Sequence, residues 1–251
     1  PGTEMIFGPE VEFNVHGLFI AQGEEEDSVA ITASGFHADF NFLETSSDEC
    51  AISYCHSDSI HFTTDQTTVT ISNSLFYDCE IRPEGGSSDF YNNVLCFDGI
   101  MQIVGGRDIV LAGNTFDGCR LQIQTMTGLE LRNNATNNRT DLSGVIDGTL
   151  TDCVLNRFTA SGCRNLSIFN CETPERTLSF SRCTGVTFRG GNYVNGFHLR
   201  QTYGYLEIDR VNIEGTLGVD GVVENCTITN SSIHRTSFGG TVTLLAEHNN
   251  F

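Results

Sequence analysis

A chain of 251 residues with 32 Asp and Glu against 13 basic residues carries a net charge of -19, which opposes binding to nucleic acid or to an anionic membrane. Every basic residue is Arg and none is Lys. That balance is expected from GC-rich coding or from high salt, where self-repulsion is screened, and a halophilic archaeon or its virus would satisfy both. No run of 18 apolar residues is present, so no membrane-spanning helix or membrane insertion is expected.

The chain opens at Pro1 without Met or a signal-peptide pattern, as expected of a processed product or a part of something longer. Gly at 26 and Pro at 4 suit an all-β protein with many tight turns. Apolar spacing of the i, i+3, i+4, i+7 kind is scarce, and Val, Ile, Thr and Phe fall in short runs broken by Gly and Asn. Val11–Val15 and Val29–Thr32 read as the first strands. Residues 1–60 are expected to form the first rungs or a cap, and residues 61–251 a parallel β-helix, with no linker composition to separate domains.

From there one phrase recurs. Thr67–Asn73, Arg107–Asn114 and Gly128–Asn134 each place alternating apolar residues before an Asn. Between 163 and 211 the register is plain: Leu166, Val186 and Leu206 are 20 residues apart, as are Ile168, Phe188 and Ile208. Ser167, Thr187 and Glu207 sit between them, giving the period-two alternation of a half-buried strand. Val222–Cys226 and Thr241–Leu245 read as later rungs. A fixed period near 20 with one strand phrase per period is a solenoid signature, and the Leu/Asn consensus of leucine-rich repeats is missing. The fold class expected is all-β, a right-handed parallel β-helix of about 20 residues per rung.

Over residues 60–245 the repeat resembles the right-handed β-helix superfamily of pectate lyases, polygalacturonases and viral tailspikes, and in character it is closest to viral tailspike and fibre proteins. The resemblance implies architecture rather than chemistry. The Asn-Thr-Asp, Asp-Asp and Gly-His-Gly motifs of polygalacturonases do not occur, and neither does the Trp or Lys that pectate lyases use. If the chain is active, the resemblance implies a polysaccharide depolymerase in which Arg supplies the cation.

Candidate site residues follow from register and local clusters. Arg189 and Asp209 share a phase on adjacent rungs. They are expected to meet as a structural ion pair of small energetic worth, or, as the catalytic alternative, as an acid tuned by its Arg. Glu24, Glu26 and Asp27 lie in an acidic run that would hold Ca²⁺ through oxygen ligands, against the simpler reading of a solvated loop. His56–His61 holds two His and one Asp, but strand alternation would send the two imidazoles to opposite faces. The ten Cys show no metal-ligand spacing and are expected as small buried hydrophobes, Cys163 and Cys183 as stacked thiols. Tyr203 and Tyr205 flank Gly204, where core or rim packing is expected ahead of a sugar platform.

Three functions compete. A virion-associated structural or receptor-binding protein (tailspike, fibre or turret-like appendage) explains a stable β-helix without catalytic motifs. It would recognise host-surface polysaccharide or glycoprotein from a homotrimer or with other virion proteins. A polysaccharide lyase or glycoside hydrolase needs paired carboxyls in a cleft. A cell-surface adhesin is the third. All three place the protein outside a cell or on a virion surface.

Overall fold

The computed structural model describes residues 3–8, 10–34, 37–96 and 99–250. Among them there is no helix. The chain is all-β, a parallel β-solenoid with about 20 residues per turn. Its hand follows from strand twist, which makes parallel crossovers within one sheet right-handed. It divides into two compact units, Pro1–Met126 and Thr127–Phe251.

In unit 1 each rung contributes one strand to each of three parallel sheets. The second sheet stacks Glu12–Val15, Ala38–Phe42, Ile60–Asp65, Glu80–Glu84, Ile100–Val104 and Arg120–Gln124. Its inward positions form an apolar ladder: Phe40 pairs with Phe62, Phe62 with Ile81, Ile81 with Met101 and Met101 with Leu121. None of these is more than 1% exposed, and each contributes about 1.5–3 kcal/mol by leaving water. The earliest rungs are hard to hear in the sequence because their turns are long. Met5 pairs with Ile31 and Ala21 with Ile52, far more than one 20-residue period on. Phe13 and Phe19 lie against Phe40, with ring centroids 4.9 and 5.0 Å away.

Unit 2 repeats the plan, and the register predicted between 163 and 211 is present. Leu166 pairs with Val186 and Val186 with Leu206; Ile168 pairs with Phe188 and Phe188 with Ile208. Later strands bend through the corners, so that Gly196–Asp209, Asn212–Thr229 and Ser232–Glu247 each run over more than one face.

The corners are set by left-handed residues. Where the third strand of a rung gives way to the first strand of the next, Asn73 (φ 50°), Asn92 (φ 52°) and Gly113 (φ 70°) turn the chain. Asn accepts this conformation readily. A side chain at Gly113 would lie 2.3 Å from Asn92 Oδ1, so the Asn92 amide would have to move to admit one. The next residue in each case, Ser74, Asn93 or Asn114, is buried. Asn93 Oδ1 accepts the Ser74 N–H at 3.1 Å, Asn114 Oδ1 accepts the Asn93 N–H at 3.0 Å, and Asn93 Nδ2 donates to Ile71 O at 2.9 Å. Buried backbone groups that the turn would orphan are thereby satisfied.

The cysteines belong to the same device. Cys55, Cys79, Cys153, Cys163, Cys171 and Cys183 each follow a residue of positive φ. Each donates its thiol to the carbonyl two residues back, at 3.2–3.6 Å. Ser74 and Ser231 make the same bond with a hydroxyl, at 2.8 and 2.7 Å. All ten cysteines are free, and Cys163 and Cys183 are in-register thiols, not a bridge.

Burial pushes the Cys55 and Cys226 thiols up to about 11 and those of Cys79 and Cys119 up to about 12. Titration of the native protein at pH 8 with a thiol reagent is therefore expected to modify Cys96, which is half-buried, ahead of the other nine, which should react only on unfolding. Asn93→Ala, which removes the partner of the buried Ser74 N–H and the amide bond to Ile71 O, is expected to cost about 2 kcal/mol, read as a lowered denaturant midpoint.

Candidate functional site

The predicted pair in unit 2 lies on the outer face of the third sheet, on the paired strands Thr184–Arg189 and Gly196–Asp209. Arg189 and Asp209 are register partners, yet their side chains do not pair. Arg189 donates from Nε (3.1 Å) and Nη2 (2.7 Å) to Glu207 Oε1. Asp209 instead accepts from Asn230 Nδ2, Thr229 Oγ1 and Arg210 Nε, all at 2.9 Å. Two carboxylates, Glu207 and Asp209, alternate outward on one strand, and the guanidinium reaches the nearer one diagonally. The Asn230 amide, then Thr229 and Arg210, hold the Asp209 carboxyl below the usual aspartate range. These contacts favour the charged carboxylate, whereas a general acid gains from the opposite shift.

The acidic run in unit 1 forms a tight turn, closed by Glu24 N–H to Asp27 O and Asp27 N–H to Glu24 O, both 3.1 Å. Among the described residues no group of three or more His, Cys, Asp and Glu is placed to hold a metal ion. Glu24 and Glu25 instead edge an open cleft of about 480 Å³, shared with Tyr54, His56, Asn73 and Asn92 over Leu75 and Val94. His56 and His61 both point outward, contrary to a single-strand reading of 56–61. Ser59, at φ 57°, turns a corner between them and resets the alternation. His56 therefore stands on the first sheet and His61 on the second.

His61 is the centre of the most developed cluster. Along the outer face of the second sheet, Glu12, Asp39, His61, Glu80, Ile100 and Arg120 occupy one register row. Asn14, Asn41, Thr63 and Arg82 form the row beside it, with Gln102 and Gln122 beyond. His61 Nδ1 lies 3.2 Å from Asp39 Oδ1 and Nε2 lies 3.8 Å from Glu80 Oε2. Glu80 Oε1 accepts from Arg82 Nη2 at 2.7 Å. The His37 ring stacks on His61 with centroids 4.4 Å apart and planes at 19°. In the second row Asn41 Nδ2 donates to Asn14 Oδ1 at 3.0 Å, and Thr63 donates to Asn41 Oδ1.

The chemistry follows from these contacts. Asp39 stands at Nδ1 and Glu80 at Nε2, so the imidazole lies between two carboxylates, an arrangement that can hold and pass on a proton. The amide and hydroxyl row offers donors and acceptors at the strand spacing of about 4.8 Å, suited to a repeating, hydroxyl-rich chain. Neither Asp39 nor Glu80 was marked by the sequence motifs. The signal that finds them is one rung period counted back and forward from His61.

No family model matches the chain, and no curated protein sequence matches it. Among solved structures, it is similar to the Azotobacter vinelandii mannuronan C-5 epimerase AlgE6 A-module, at 12% identity and TM-score 0.36 over 99% of this chain and 90% of that one. It is also similar to the periplasmic alginate epimerase AlgG in a double-mutant form, at 10% identity and TM-score 0.46 over 94% and 79%. A third is the Streptococcus pneumoniae surface protein and adhesin PfbA, at 8% identity and TM-score 0.41 over 99% and 92%.

Because the folded Asp209 carboxyl lies below its unfolded value, its contacts contribute stability above about pH 4, the ordinary aspartate pKa, and lose it as pH falls through the lower folded value. Asp209→Asn is expected to lower the thermal midpoint modestly at pH 7. The gap from the parent protein should close as pH drops below 4, as followed by circular dichroism.

Proposed function

We propose that this protein recognises a polymeric glycan on the outer face of the second sheet of unit 1. The observation that carries the reading is the pair of adjoining rows around His61, in which carboxylates, an imidazole, amides, a hydroxyl and a guanidinium follow one another on successive rungs. Rows of that kind match a polymer whose hydroxyls repeat, and a rigid sheet loses little entropy on binding. The charge of -19 favours a neutral polymer, because a polyuronate would be repelled.

The finer form of this reading is a virion-associated attachment protein displayed outside a cell, as a homotrimer or with other virion proteins, holding host-surface polysaccharide or glycoprotein. Its support is compositional: an acidic, Lys-free surface on a backbone paired from rung to rung, which suits a protein exposed to salt and proteases. A second reading, a carbohydrate-active enzyme, is favoured by the Asp39–His61 contact, which orients an imidazole for proton transfer beside the second carboxylate of Glu80. Calcium bound through Glu24, Glu26 and Asp27 remains a separate proposal, tested by thermal shift on adding CaCl₂.

The decisive experiment pairs binding with turnover. Neutral and acidic polysaccharides are presented to the parent chain and to His61→Ala and Glu80→Gln, with released reducing ends followed in parallel. Binding of a neutral polymer that weakens tenfold or more in both variants, about 1.4 kcal/mol, is the expected result. Release of reducing ends that stops in His61→Ala selects the enzyme reading. No binding to any glycan contradicts both.

A further inference from the structure

Unit 2 carries a separate arrangement on its third sheet and the corner leading into it. The strand Gly196–Asp209 sends Tyr205, Glu207 and Asp209 outward at alternate positions, while Leu206 between them is 1% exposed. Tyr203 and Tyr205 are 46% and 41% exposed, so neither lies in the core and both stand at the rim. The Tyr205 ring has a defined seat. A Cβ added at Gly185 would lie 2.6 Å from Tyr205 Cε1 and 2.8 Å from Cζ. One side of the ring therefore rests on bare backbone, and the residue is held in place while remaining open to solvent. Val222, the register partner of Tyr203, is itself 46% exposed.

Polar groups border the rings. Both Arg189 bonds end on Glu207 Oε1, which leaves Glu207 Oε2 and Arg189 Nη1 uncommitted among the described residues. Asn165, oriented by its 2.8 Å bond to Asp147 Oδ1, edges the same seat, 3.1 Å from the added Gly185 Cβ. Tyr205 and Glu207 are alternate outward residues of one strand, and Arg189 reaches Glu207 from the strand beside it, so along this face an exposed ring is followed by a free carboxylate oxygen and a guanidinium N–H, the groups that the two sides of a pyranose require. The C–H face of the sugar packs on an aromatic ring, and its hydroxyls need both acceptors and donors.

We propose that Tyr203 and Tyr205, with Glu207 and Arg189, form a binding platform for a neutral oligosaccharide. It is distinct from the His61 face and rests on the reading of the protein as a glycan binder. The ligand class follows from charge: Arg189 is already neutralised by Glu207, and the chain as a whole repels anions. Ring stacking supplies affinity without sequence-long complementarity, so the platform suits an end or a short stretch of a glycan.

The chain has no Trp and 6 Tyr, so its emission is that of tyrosine, and comparison with the Tyr203→Ala/Tyr205→Ala variant gives the share of these two rings. The full chain is titrated with glucose, mannose and galactose hexasaccharides and with hexagalacturonate, following tyrosine emission and calorimetric heat. A neutral hexasaccharide is expected to change the emission. Its affinity should fall tenfold or more in the Tyr203→Ala/Tyr205→Ala double variant, fall several-fold in Glu207→Gln, and be largely kept in Tyr205→Phe. Both tyrosines are exposed, and an unchanged thermal midpoint confirms that the variants fold. Equal affinity in parent and double variant, with loss in His61→Ala, overturns the platform and leaves the glycan-binding reading intact. Tyrosine-dependent binding of hexagalacturonate alone overturns the ligand class. Absence of binding to all four overturns the platform together with the reading it rests on.

Discussion

The structure depends on turning an extended chain through sharp corners without leaving buried backbone groups unpaired. Between corners, parallel pairing satisfies each strand from the rungs on either side. At corners the chain leaves the ladder, and a left-handed residue followed by a small polar or thiol-bearing one closes the gap. Asn73 with Ser74 and Asn92 with Asn93 do this by amide and hydroxyl; Cys163 and Cys183 do it by thiol. Six of the ten cysteines thus answer to corner geometry. A small side chain that is apolar on one side and a weak donor on the other fits a slot between the bore and a carbonyl.

With corners fixed, alternation does the rest. Most inward positions feed an apolar ladder and outward positions are less constrained by packing, so the outer faces are where chemistry can accumulate. The His61 face in unit 1 and the Tyr205 face in unit 2 are outward rows of this kind. Their residues are near neighbours in space because they are about one rung apart in sequence. Arg189 illustrates the limit of register alone. Its Cα partner is Asp209, but the guanidinium pairs with Glu207, because a long side chain selects among carboxylates on the facing strand by reach.

Much of the fold is legible in the sequence wherever the rungs keep a constant length. Leu166–Val186–Leu206 and Ile168–Phe188–Ile208 reveal both the period and the inward face before any coordinates. Residues 1–60 are less legible because long turns between Gln22 and Val29 and between Phe42 and Cys50 break the period, although the strands there pair like the others. The site was less visible still. His61 attracts notice by its neighbour His56, but its working partners Asp39 and Glu80 are a rung away on either side. Reading 56–61 as one strand hides the corner at Ser59 that turns both imidazoles outward. A left-handed Ser has no sequence mark, whereas the Asn corners do.

If the outward rows of the second sheet in unit 1 hold a glycan, a crystal structure of the complex with a neutral oligosaccharide will show the sugar on that face. Density along the row from Asn14 to Arg82, with a sugar hydroxyl or ring oxygen within hydrogen-bond distance of His61 Nε2, is the predicted result. A saturated complex whose sugar lies away from that sheet, with His61 still facing solvent, would contradict it.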